Sequence, residues 1–135
     1  MIAFEYLETE EIIEIIHQKK WLNQVISNED KLLGDITYIF RNDDYLLKKN
    51  IQFLNHNTLT DVITFDYCKG NSVSGDIFIS IERVKENSEN FKVDFLSELN
   101  RVLVHGLLHL LGYKDKTKED VKIMRAKENY YLSIK

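Results

Sequence analysis

The residues of this chain best suited to chemistry are two histidines, His105 and His109, set in the otherwise apolar run RVLVHGLLHLLGY. Four residues apart on a helix, they point the same way with Cβ atoms roughly 5 to 6 Å apart, so both imidazoles reach one metal ion. Gly112 follows where a left-handed residue would end the helix, and Asp115 comes three residues later. The spacing His-x3-His-x2-Gly-x2-Asp thus supplies two ligands from a rigid helix, a bend, and a third ligand from the returning chain. Three such ligands leave the fourth position of a tetrahedral Zn²⁺ open for water.

A lone histidine on an apolar helix is more often a core residue with a satisfied hydrogen bond. Two imidazoles in one apolar turn are different, because each unpaired ring would cost about 1 to 3 kcal/mol, a cost that a shared metal removes. Cys68 is the only cysteine, so within one chain neither a disulfide nor a thiolate zinc site is available. Any metal falls to His, Asp or Glu.

The same spacing occurs in metzincin proteases, which carry Glu immediately after the first histidine as general base. Here that position is Gly106. A peptidase built on this helix would lack its base.

The elements that must position these residues are read from pattern. IAFEY alternates as a strand, and Thr9 to Ile26 carries apolar residues at helical spacing behind a possible Thr9 cap, with Trp21 a core residue. Gly34 to Phe40 reads as a strand and Asp43 to Asn55 as a helix capped by Asp43 or Asn42. Asp61 to Tyr67 and Gly75 to Ser80 read as neighbouring strands joined by the turn CKGNSVS, in which Cys68 is an ordinary small residue. Helices follow from Ile81 to about Val93, from Asp94 to Leu111, and from about Lys118, where Thr117 and Asp120 match a capping box. Val102 to Leu111 is apolar nearly all round, as a buried central helix would be. The 135 residues fit one domain, 1–135, with no second domain and no apolar run near the roughly 20 residues that cross a bilayer. The expectation is an α+β fold: a small mixed, mainly four-stranded sheet packed by about five helices, with a zincin-like metal helix near the centre.

Charge is uneven. Residues 1–100 hold 18 acidic against 10 basic side chains and residues 101–135 hold 4 against 8, within a net charge of −4. The basic excess lies beside the histidines, where it is either a solvated helix face or a local attraction for phosphate backbones.

With these residues in view, the chain resembles the YbeY-type endoribonucleases, or ribosomal RNA maturation factors. HGLLHLLGY, His105 to Tyr113, is similar to the family's H-G-x-L-H-L-x-G-Y helix. TDVITF (Thr60 to Phe65) and SGDIFIS (Ser74 to Ser80) are similar to its T-D-V-L-S-F and G-D-I strands. Met1 to Tyr6 lacks the basic region, apolar stretch and cleavage site of a signal peptide, so the expected location is the cytoplasm, without membrane contact and as a monomer. The resemblance implies a zinc-dependent hydrolase. It would cleave single-stranded RNA in small-subunit (16S) ribosomal RNA 3′-end maturation and ribosome quality control, with the small ribosomal subunit as partner. Carried over by position, one zinc ion is held by His105, His109 and Asp115.

Two departures stand out. The family's third ligand is usually His, where this chain has Asp115; the added negative charge should acidify bound water less and favour harder metals. The family's arginine shortly before the T-D-V strand is missing from FLNHNTLTDV, so either His56 or a lysine such as Lys114 or Lys116 contacts phosphate in its place, or activity on RNA is weaker here.

A bound metal lowers the pKa of water from 15.7 toward roughly 7 or polarises a phosphate. With Gly106 unable to act as base, the activated water, the RNA 2′-hydroxyl or a residue from another segment must complete the reaction. His56 and Asp61 are the candidates, although Asp61 equally fits a cap or turn, and Thr60 and Thr64 ordinary strand positions. Lys114, Lys116, Lys118, Lys122 and Arg125, with Lys127, would attract phosphate. Tyr130 and Tyr131 could stack on bases, while docking of the last helix explains at least one of them. The rival readings are a ribosome-assembly factor whose zinc is purely structural, and a metallopeptidase, which Gly106 disfavours.

Overall fold

The computed structural model describes residues 1–42, 44–46, 48 and 61–135. Four strands, β1 (Ile2–Tyr6), β2 (Leu32–Arg41), β3 (Val62–Asp66) and β4 (Ser72–Ser80), form one mixed sheet in the order β1-β2-β4-β3. β1, β2 and β4 run parallel and β3 pairs antiparallel with β4, Val62 opposite Ile79 and Asp66 opposite Gly75. Among the described residues the α-helices are α1 (Gln18–Asn28), α2 (Ile81–Phe91), α3 (Phe95–Leu110) and α4 (Lys118–Ser133), beside the helical residues 44–46 and 48. The fold is therefore α+β as expected, and among the described residues no helix is long and apolar enough to cross a membrane.

Strand alternation divides the sheet's side chains between two faces. Ile36, Tyr38 and Phe40 of β2 and Ile77 and Ile79 of β4 join the main core with α1, α3 and α4, whereas Ile39, Phe78 and Ile63 form a smaller cluster with Leu46. α3 is the centre of the main core: Leu99, Leu103, Val104, Leu107 and Leu108 are fully buried. The Tyr38 hydroxyl donates to the Leu103 carbonyl at 2.8 Å, locking β2 to this helix. Trp21 is buried as expected, its indole N–H donating to the Tyr131 carbonyl at 2.8 Å.

The expected helix from Thr9 to Ile26 needs correction. Residues 9–12 are not helical, Ile13–His17 is a 3-10 turn, and the α-helix starts only at Gln18 and runs to Asn28. The Tyr6 hydroxyl takes the Ile12 carbonyl at 3.0 Å, holding Ile12 in an extended conformation, and no side chain caps the turn, so Thr9 is not its cap. In a three-residue period Ile12 and Ile15 fall on one side and meet the core, while Ile13 and Ile16 face solvent.

β2 and β4 extend beyond their expected bounds, whereas β3 is one residue shorter at each end than the expected Asp61 to Tyr67. β2 starts two residues before Gly34, and β4 starts at Ser72 because Gly70, at φ +57°, turns the chain early enough for Lys69 to bridge Ser72. Asn42 accepts from the Tyr45 backbone N–H at 2.9 Å, and residues 44–46 and 48 are helical; the rest of the expected Asp43 to Asn55 helix lies outside the described residues. The Thr117–Asp120 capping box at the start of α4 is formed in both directions.

Candidate metal centre

α3 delivers His105 and His109 from its last turns. Leu111 and Gly112 close the helix: Gly112 takes φ +103°, its N–H donates to His109 and the Tyr113 N–H donates to Leu108. This paired pattern reverses the chain and frees the Tyr113 carbonyl to face back toward the helix. That carbonyl lies 3.0 Å from His109 Nδ1. A carbonyl only accepts, so Nδ1 carries the proton and the Nε2 lone pair of the neutral ring is left for a cation.

His105 is oriented from another direction. Its Nδ1 lies 2.7 Å from Glu128 Oε2 on α4, and Glu128 Oε1 accepts from Arg101 at 2.8 Å. Burial disfavours ionised Glu128, but the hydrogen bonds and charges of His105, Arg101 and Arg125 outweigh it and hold the carboxyl below its ordinary pKa. Burial likewise opposes the His105 cation, yet Glu128, Asp61 and Asp115 together raise its pKa. His109 is lowered by burial and by the neighbouring His105 charge.

The two Nε2 atoms converge, 3.0 Å apart, and Asp115 Oδ2 completes the triangle at 3.5 Å from His105 and 3.3 Å from His109. Two imidazole lone pairs aimed at each other and at a carboxylate oxygen make a repulsive cluster unless a proton or cation sits among them. His105, His109 and Asp115 offer ligand atoms all within 4.8 Å of one another and could hold a metal ion. Both outer ring nitrogens are already committed to acceptors, the arrangement that fixes imidazole ligands in metal sites.

Gly106 proves to be a packing residue. A Cβ there would stand 2.7 Å from Ile77 Cγ2 and 3.4 Å from Val62 Cγ2, so the helix lies directly on β3 and β4 at this point. Glutamate at this position would be driven into the sheet. The missing base is a consequence of how closely α3 seats.

Of the expected catalytic candidates, Asp61 lines the cavity that holds His105 and Asp115, of about 350 Å³, with Glu98, Arg101, Arg125 and Glu128. Burial raises the Asp61 carboxyl above its ordinary range, and burial with nearby Asp61 does the same to Glu98. The Asp61 carbonyl also accepts from the Ser80 N–H at 3.0 Å, tying it to the end of β4. His56 and Thr60 lie outside the described residues. Among the expected phosphate contacts, Arg125 lines this cavity, whereas Lys114, Lys116, Lys118 and Lys122 are exposed and do not line it. Lys127 is directed elsewhere, to Glu29 Oε2 at 3.2 Å. Tyr131 is a core residue whose hydroxyl donates to Glu29; Tyr130 is half exposed.

Glu128, Arg101 and Glu29 were not singled out by spacing. Glu128 had one signal: it stands with Met124 and Tyr131 on the buried stripe of α4, where an acid has no place without a partner.

Comparison with known proteins places this geometry. A sequence model of the family described as endoribonuclease YbeY matches residues 4–134. A protein of Flavobacterium psychrophilum named endoribonuclease YbeY is 52% identical over 134 residues, 99% of this chain and 96% of that one. A Bacteroides fragilis protein of the same name is 47% identical over 86% of this chain and 84% of its own length. The solution structure of TM1509 from Thermotoga maritima superposes with a TM-score of 0.69 at 30% identity, covering 98% of this chain and 87% of that one.

Proposed function

Because the chain belongs to the endoribonuclease YbeY family, we propose that it is a zinc-dependent endoribonuclease specific for single strands, acting in 16S ribosomal RNA 3′-end maturation and ribosome quality control. His105, His109 and Asp115 would hold one zinc ion, with α3 as a zincin-like metal helix. The single observation that carries the metal reading is the triangle of ligand atoms at 3.0, 3.3 and 3.5 Å. Bonds of roughly 2.0 to 2.1 Å in a tetrahedron set ligand atoms about 3.3 Å apart, so the donors already sit near zinc-binding separations. When bound, the ion supplies Lewis acidity toward a phosphate oxygen and acidifies water.

The chain's own residues do the rest. Glu128 and the Tyr113 carbonyl hold the two imidazoles in the tautomer that presents Nε2. Asp61 lines the same cavity without belonging to the ligand triangle, which supports a role for its carboxyl in proton transfer. Arg101 and Arg125 offset part of the acidic charge and attract the RNA backbone, and exposed Lys114, Lys116, Lys118 and Lys122 extend that attraction over the surface.

The test is cleavage of a single-stranded ribosomal RNA fragment and of its duplex by wild type and by Asp61→Asn. The expected result is cutting of the single strand alone, with Asp61→Asn slowed about 100-fold or more at unchanged zinc content. Full activity in Asp61→Asn removes its proton-transfer role, and absence of RNA cleavage by wild type removes the function.

A further inference from the structure

A second cavity of about 540 Å³ adjoins the one at the metal centre. Phe91, Glu98, Arg101 and Arg125 line both, so the two are lobes of one groove running between α2, α3 and α4. Its charge changes along its length. The lobe at His105 contains Asp61, Glu98, Asp115 and Glu128, as a cation site requires. Arg101, Arg125 and Glu98 line both lobes, the two arginines 2.8 and 3.3 Å from Glu128 Oε1, whereas Asp61, Asp115 and Glu128 line only the lobe at His105 and Lys135 only the far one.

At the junction stands Phe91, the last residue of α2, with 63% of its surface exposed. Lys92 ends the helix there with a left-handed φ of 55°, and the Phe91 ring lies on the rim of both lobes. An exposed aromatic ring between a metal centre and a cationic lobe matches the pattern of single-strand binding, a stacking platform beside phosphate-attracting charge.

We propose that this groove seats the RNA segment flanking the scissile phosphate, with a base stacked on Phe91 and the adjoining phosphates against Arg125 and Lys135. This rests on the RNA-cleaving reading above and adds the direction in which the strand leaves the metal. Phe91 is exposed and supplies no atom of the ligand triangle, so its substitution is expected to leave the fold and zinc site in place.

The probe is a 2′-O-methyl oligouridylate of about twelve nucleotides, which keeps bases and phosphates, titrated into zinc-loaded full-length protein. Phe91→Ala is expected to weaken binding about tenfold, while Phe91→Trp retains affinity and its added emission is quenched as the oligonucleotide binds. Arg125→Gln is expected to make binding less sensitive to salt. If wild type cleaves RNA but Phe91→Ala binds the oligonucleotide as tightly as wild type, the groove assignment is overturned and the ribonuclease reading stands. If wild type neither cleaves RNA nor binds the oligonucleotide, both are overturned.

Discussion

His105 Nδ1 lies 2.7 Å from Glu128 Oε2, joining α3 to the C-terminal helix α4 across 23 residues of sequence. The contact fixes which imidazole nitrogen faces His109 and Asp115. Removing the acceptor in Glu128→Ala should lower zinc affinity about 10- to 100-fold, read by competition with a chromophoric chelator. Glu128→Gln keeps an acceptor oxygen and should lose less. Equal zinc affinity in wild type and Glu128→Ala would show that His105 is oriented without Glu128.

Glu29 connects the end of α1 to the return of the chain after α3. It accepts from the Tyr113 and Tyr131 hydroxyls and from Lys127. Burial penalises its carboxylate, but these three donors outweigh burial and hold its pKa below the ordinary value. A carboxyl depressed on folding stabilises the native state above its unfolded pKa, about 4.3, and that stabilisation is lost as pH falls through the folded value. Thermal melts of wild type should therefore lose stability more steeply than those of Glu29→Gln as pH falls below about 5. Parallel curves would mean that the three donors do not favour the ionised form.

Gly106 makes a prediction opposite to helix propensity. Alanine would gain about 1 kcal/mol in an ordinary helix interior, but overpacking against a close core costs about 1 to 3 kcal/mol. Ile77 is fully buried and its Cγ2 is the atom 2.7 Å from the added carbon, so the clash should win. Gly106→Ala should melt several degrees below wild type. A higher melting temperature would mean that α3 can lift from β4 at little cost.

The parts of this molecule that repeat over short distances were legible in the chain itself. Alternation marked β1 and β-rich runs the other strands, the Thr117–Asp120 pair marked the start of α4, and the i, i+4 histidines with Gly112 and Asp115 marked a cluster that the fold does bring together. What spacing did not reveal depends on long-range packing. Glu128 reaches His105 only because α4 folds back beside α3, and Glu29 meets Tyr113 across 84 residues. Gly106 read as the loss of a base, whereas the reason for it is a contact with Ile77 on another element. The basic excess of residues 101–135 was visible as composition, but its division into surface lysines, groove-lining Arg101 and Arg125, and Lys127 bonded to Glu29 required the fold.

The most direct test of the central claim joins metal content to RNA cleavage in wild type and Asp115→Ala. Wild type should carry one zinc ion per chain, lose cleavage of single-stranded RNA on chelation and regain it on zinc addition. Asp115→Ala should lose both metal and cleavage while keeping its far-UV circular dichroism, which also separates a catalytic ion from a purely structural one. Metal-free wild type that cuts RNA at the undiminished rate would contradict the account.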